Sequence, residues 1–245
     1  MTTTAPHSEP AGVGATGRRV LLVAVVGTVA LYAVPGGDLV ARPLLWLSTL
    51  VHELGHAAVT SAVGGEVVSV HVFADGSGVT QGLRPAGRLA TAAVAAGGLL
   101  GPAALAALVF GLSREARRAR VTAGALGGAL LLTIPFALRG VLTIVLAAAL
   151  GLVLLALAAR APAGSTQVVV VFLAVQLALS VFSRGDYLFT GTAETATGTH
   201  VSDSGQIAAA LAGPYWLWGA VCGLLSVLVL GIGLVTFLHR AARPG

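Results

Sequence analysis

The sequence predicts an all-α polytopic membrane protein with about six to seven transmembrane helices and a short β-hairpin after the second. Three observations carry this. First, the 245-residue chain is 56% hydrophobic and only 9% charged, with a mean hydropathy of +0.93. Soluble domains carry about 25% charged residues, so this chain has too few to solvate an ordinary surface. Second, the apolar residues fall into runs close to the ~20 residues that a helix needs to cross the hydrocarbon core. Third, arginines cluster between runs, as at Arg114, Arg117, Arg118 and Arg120, a pattern that suits lipid headgroups. The net charge of +5 comes without a basic patch interleaved with exposed aromatics, so no nucleic-acid partner is expected. A single cysteine, Cys222, excludes an intrachain disulfide and a cysteine metal site.

Residues 1–17 are small and polar, with Pro6 and Pro10, and read as a disordered tail. Residues 18–245 read as one membrane-embedded domain. Arg18 and Arg19 precede the first apolar run, Val20 to Pro35, a pattern that also fits a signal peptide. The other runs are Pro43 to Val63, Leu89 to Leu112, Val121 to Leu138, Gly140 to Ala159, Thr166 to Phe182 and Pro214 to Leu238. Pro135 and the Arg139-Gly140 pair mark either a turn between two spans or a kink within one. The arginines are nearly balanced between the two possible orientations. Two stretches are not spans. Glu66 to Gly82 is rich in β-branched residues and interrupted by Asp75-Gly76-Ser77-Gly78, which predicts a β-hairpin. Arg184 to Gln206 is the longest polar segment outside the tail, and is expected to be mobile.

The second run holds three ionisable side chains, which at membrane depth are costly unless paired or neutralised. His52, Glu53 and His56 spell H-E-x-x-H. On a helix, residues i and i+4 share a face, so both imidazoles can reach one ion. Zinc accepts neutral imidazole and keeps a position open for water at catalytic sites. Glu53 is then placed to take a proton from water and pass it to a leaving amine. The bland alternative has the histidines hydrogen-bonded to neighbouring helices and Glu53 paired with an arginine such as Arg139. A catalytic zinc usually takes three protein ligands. Away from the termini the candidates for the third are Asp186, Asp203, Glu194, His71 and His200. Asp186, which directly follows the sixth run, is preferred, with Asp203 as the alternative. Asp203 with Gln206 also reads as a capping box for a short helix.

The H-E-L-G-H helix is followed by a hairpin containing "DGSGVT" and by "GGLLGPAA" in the next run; "SVFSRGDYLF", "HVSDSGQIAAAL" and "WLWG" come later. Together these resemble the site-2 protease family of intramembrane zinc metalloproteases, in particular its compact bacterial and plant branch, from about Leu44 to Trp218. The resemblance implies a peptidase with one zinc ion that cuts membrane-protein substrates within or near the bilayer. It implies His52 and His56 as ligands and Glu53 as catalytic base, in a multi-pass protein of a bacterial cell membrane. Gly101-Pro102 matches the start of a glycine-proline pattern. The better-known members follow that pattern with an asparagine, but here Ala103, Ala104 and Leu105 follow. They take the third ligand from an aspartate-glycine pair, but here Asp186 precedes Tyr187 and Asp203 precedes Ser204. These departures motivate the alternative of a non-catalytic metal-binding scaffold. A transporter with a His52–Glu53 proton relay lacks the expected repeat. Three further expectations concern packing. Gly97 and Gly101 allow close approach of a neighbouring helix. Gln176 makes an interhelical hydrogen bond. The hairpin edge can take an extended substrate by strand addition, with His71 as a surface residue.

Overall fold

A computed structural model describes residues 13–83, 86–183 and 188–239, and among these it has eight helices and two two-stranded hairpins. The helices are α1 (Val13–Ala33), α2 (Gly37–Ala62), α3 (Arg88–Leu112), α4 (Ala116–Phe136), α5 (Val141–Arg160) and α6 (Ala163–Ser183), then α7 (Asp203–Leu211) and α8 (Tyr215–Leu238). The hairpins are β1 (Glu66–Val72) with β2 (Gly78–Leu83), and β3 (Thr192–Thr195) with β4 (Gly198–Val201). Helices α3, α4, α5, α6 and α8 are long and apolar enough to cross a membrane, and α1 and α2 add 21 and 26 helical residues. Large apolar side chains such as Val29, Leu132, Leu152, Leu228 and Ile232 are exposed along them. A soluble monomer rarely shows so much contiguous apolar surface, and this protein is an integral, multi-pass membrane protein.

The first helix starts at Val13 rather than at Arg18, and it packs into the bundle. Val20 and Ala24 belong to the largest buried cluster, with Leu47, Val51, Val109 and Val171. Gln176 of α6 donates from Nε2 to Thr28 Oγ1 at 2.6 Å, the interhelical bond expected of it. Helices α2 and α3 approach through glycines. A Cβ on Gly55 would sit 2.2 Å from the Gly97 carbonyl oxygen, and one on Gly101 would sit 3.2 Å from that of Val51. With no hydrophobic drive between helices in lipid, such backbone contact is a main source of cohesion.

The first hairpin turns at Asp75-Gly76-Ser77, with Gly76 at φ 90°. One edge of its sheet is covered. Val70 N–H donates to Ala137 O at 2.8 Å, Arg139 N–H donates to Val70 O at 3.0 Å, and Val72 N–H donates to Thr143 Oγ1 at 2.9 Å. The α4–α5 junction is therefore a turn that extends the sheet, with Leu138 1% exposed beneath it. Tryptophan 46 donates to Ala74 O at 3.3 Å and Thr49 donates to Gly76 O at 2.7 Å, which seats the hairpin tip on α2. Among its described residues, the polar segment 184–206 contains β3, β4 and the start of α7. The hairpin tips meet where Ala196 N–H donates to Ser77 Oγ at 3.1 Å.

Candidate metal centre

One turn apart on α2, His52 and His56 turn their rings perpendicular, at 84°, and bring their Nε2 atoms within 3.2 Å. His56 Nδ1 lies 2.8 Å from Val94 O on α3. A carbonyl only accepts, so Nδ1 carries a proton, and Nε2 is the nitrogen left to face a metal. This second hydrogen bond fixes the tautomer that a metal needs. Helix α3 also supplies space. A Cβ on Gly98 would fall 2.2 Å from His56 Nε2 and 2.9 Å from His52 Nε2, so any side chain there collides with the imidazoles.

Asp203 reaches the same point from α7. Its Oδ2 lies 3.0 Å from His52 Nε2 and 3.4 Å from His56 Nε2, and the three side chains are only 15%, 12% and 10% exposed in the order His52, His56, Asp203. Helix α7 is held against α3 by Ile207 and Ala210, which pack with Ala92, Ala95 and Leu99, and Arg88 donates to the Ala210 carbonyl. The capping-box reading of Asp203 is corrected. Ser202 is the N-cap, accepting from Gly205 N–H at 3.0 Å. Asp203 occupies the next position, in the first turn, with its carboxylate turned to the histidines. Asp186 lies outside the described residues. Glu194 accepts from Thr199 Oγ1 on the neighbouring strand, and His71 stacks on Phe73. His200 lines the cleft beside the cluster, with Nε2 2.8 Å from Thr197 Oγ1.

The donor set fits zinc. Three lone-pair atoms 3.0, 3.2 and 3.4 Å apart repel one another unless a cation or proton lies among them. Metal–ligand bonds of ~2.0–2.1 Å in a tetrahedron give ligand–ligand edges of about 3.3–3.4 Å, which the observed separations approach.

Glu53 is 5% exposed, and its ligand-capable oxygen lies within 4.8 Å of those of both histidines. Its Oε2 accepts from Thr80 Oγ1 at 2.7 Å. Against it lies Gly78, where a Cβ would come 2.7 Å from Glu53 Cγ and Oε1. Arg139 donates to the carbonyls of Pro135 and Leu138, so the alternative Glu53–Arg139 pair is not formed. Histidines and glutamate open into a cleft of about 240 Å³ between β2 and the second hairpin, lined also by Thr80, Ala193, Thr195 and His200. Two residues of this site escape sequence reasoning. Gly98 sits between Gly97 and Gly101, whose spacing signals helix packing, and Thr80 reads only as a strand residue.

The helices of this polytopic membrane protein thus enclose a histidine–carboxylate cluster that could hold a metal ion. Residues 21–233 match the Peptidase M50B-like family, and the chain belongs to that family, a site-2 protease family of intramembrane metalloproteases. No curated protein and no solved structure matches the chain.

Proposed function

We propose that the protein is a zinc endopeptidase that hydrolyses peptide bonds of membrane-protein substrates within or near the bilayer. The observation that carries this is the convergence of His52 Nε2, His56 Nε2 and Asp203 Oδ2 within 3.4 Å of one another, beside the buried Glu53. His52, His56 and Asp203 would hold the ion, with Asp203 rather than Asp186 as the third ligand. When bound, the ion would supply Lewis acidity, able to polarise a scissile carbonyl and to make water nucleophilic near neutral pH. Val94 keeps the His56 proton on Nδ1, away from the cluster. Glu53 takes the proton of the attacking water and delivers it to the leaving amine. The β1 edge of the sheet is occupied by residues 137–139, while β2 lines the cleft. An extended substrate segment can therefore add to β2, its backbone held by strand hydrogen bonds.

The test is Glu53→Gln. The variant should keep its zinc and lose cleavage of a transmembrane reporter in proteoliposomes, by at least ~100-fold for a general base. Retained cleavage would remove Glu53 from the mechanism. Zinc bound by the wild type with no Glu53-dependent cleavage would favour the scaffold alternative.

A further inference from the structure

We infer that Thr80 is a positioning residue for Glu53, its hydroxyl on β2 holding the base carboxylate in the cleft. The inference rests on the peptidase reading above. Glutamate has a flexible side chain, and the Glu53 carboxylate lies within 4.8 Å of both histidine nitrogens. A carboxylate free to swing at that range is a potential fourth protein ligand, and a fourth ligand would take the position that catalysis needs open. Two contacts from the hairpin oppose that swing. Thr80 Oγ1 donates to Glu53 Oε2 at 2.7 Å, and the backbone of Gly78 lies against Glu53 Cγ and Oε1, where a Cβ would come within 2.7 Å. The Thr80 hydroxyl also lies 2.9 Å from the Glu53 carbonyl oxygen. It has a single proton to donate, and the contact with the carboxyl oxygen is the shorter of the two.

The hairpin does not depend on Thr80 for its place. Thr49 and Trp46 hold its tip, and residues 137–139 and Thr143 hold β1. Removing the hydroxyl therefore frees the carboxylate without undocking the strand. Base positioning and substrate pairing share β2, so a peptide added to that strand contacts the element that holds the base.

The experiment compares full-length wild type with Thr80→Ser and Thr80→Val in detergent, using the same transmembrane reporter as the probe and measuring zinc per chain in each. Thr80→Val should retain its zinc and a KM within about twofold of wild type, while kcat falls at least about tenfold, part of the ~10²–10⁴ that a general base supplies. Thr80→Ser should stay within about twofold of wild type, because the donor is restored. A second readout needs no activity. In a double-mutant cycle, the drop in Tm caused by Thr80→Val should be clearly smaller in a Glu53→Ala background. Wild-type kcat in Thr80→Val, failure of Thr80→Ser to rescue, or additive Tm shifts would each overturn the inference. A wild type that leaves the transmembrane reporter intact while the cycle shows coupling supports the Thr80–Glu53 pairing and counts against the peptidase reading.

Discussion

Gly98 belongs to the candidate metal site without offering a ligating atom. The space its missing Cβ leaves is taken by His56 Nε2 and Cε1, at 2.2 and 2.3 Å from where that carbon would stand. Gly98→Ala should displace the imidazoles and weaken metal affinity by about 10- to 100-fold, as loss of a supporting contact does. Gly128→Ala is the control, because nothing lies within 4 Å of a Cβ there; equal zinc affinity in the two variants would contradict this role. The H-E-x-x-H triplet was legible because helical periodicity alone puts His52 and His56 on one face. Gly98 was not, because its role depends on the register of α2 against α3, which only the packed structure sets. The cap of α7 slipped by one residue for a related reason. Ser202 and Asp203 are both good N-caps, and tertiary contact with the histidines decides that the serine caps.

Among the elements, the two hairpins were unequally readable. The first announces itself by an Asp-Gly turn between β-branched runs. In the second, β4 is exposed throughout and β3 is at most half-buried, so no apolar alternation marks it. The tips are joined through Ser77, which accepts from Ala196 N–H at 3.1 Å and donates to Asp75 Oδ1 at 2.8 Å. Asp75 also accepts from Ser77 N–H at 2.9 Å. These two bonds from Ser77, backbone first, hold the Asp75 carboxyl below its ordinary value. A carboxyl lowered in the folded state stabilises fully above the ordinary carboxylate range, and the contribution fades as pH falls through the lowered value. Hydrogen-exchange protection of the Ser77 amide should therefore hold at neutral pH and drop in strong acid. Asp75→Ala should remove that acid-dependent drop, and Ser77→Ala should expose the Ala196 amide to exchange at neutral pH with the helices unchanged. Unaltered Ala196 protection in Ser77→Ala would show that other contacts hold the tips together.

For the molecule as a whole, the apolar runs located α3, α5, α6 and α8 closely, because lipid imposes both their length and their composition, but they began late at α1, α2 and α4, whose first turns are more polar or broken by glycine. The α4–α5 boundary was ambiguous from sequence, and pairing of residues 137–139 with β1 resolves it as a turn. The proposed third ligand, Asp203, was the least legible feature. Choosing between Asp186 and Asp203 requires knowing that Ile207 and Ala210 seat α7 on Ala92, Ala95 and Leu99, a long-range contact with no local signature. That choice is also the most direct test of the account. The measurement is zinc per purified chain, under zinc-replete conditions, in wild type, His52→Ala, Asp186→Ala and Asp203→Ala. Wild type and Asp186→Ala should each bind about one zinc, His52→Ala none, and Asp203→Ala should lose most of it, as expected for a three-ligand site. A wild type without zinc, or Asp203→Ala with its zinc intact, would contradict this assignment.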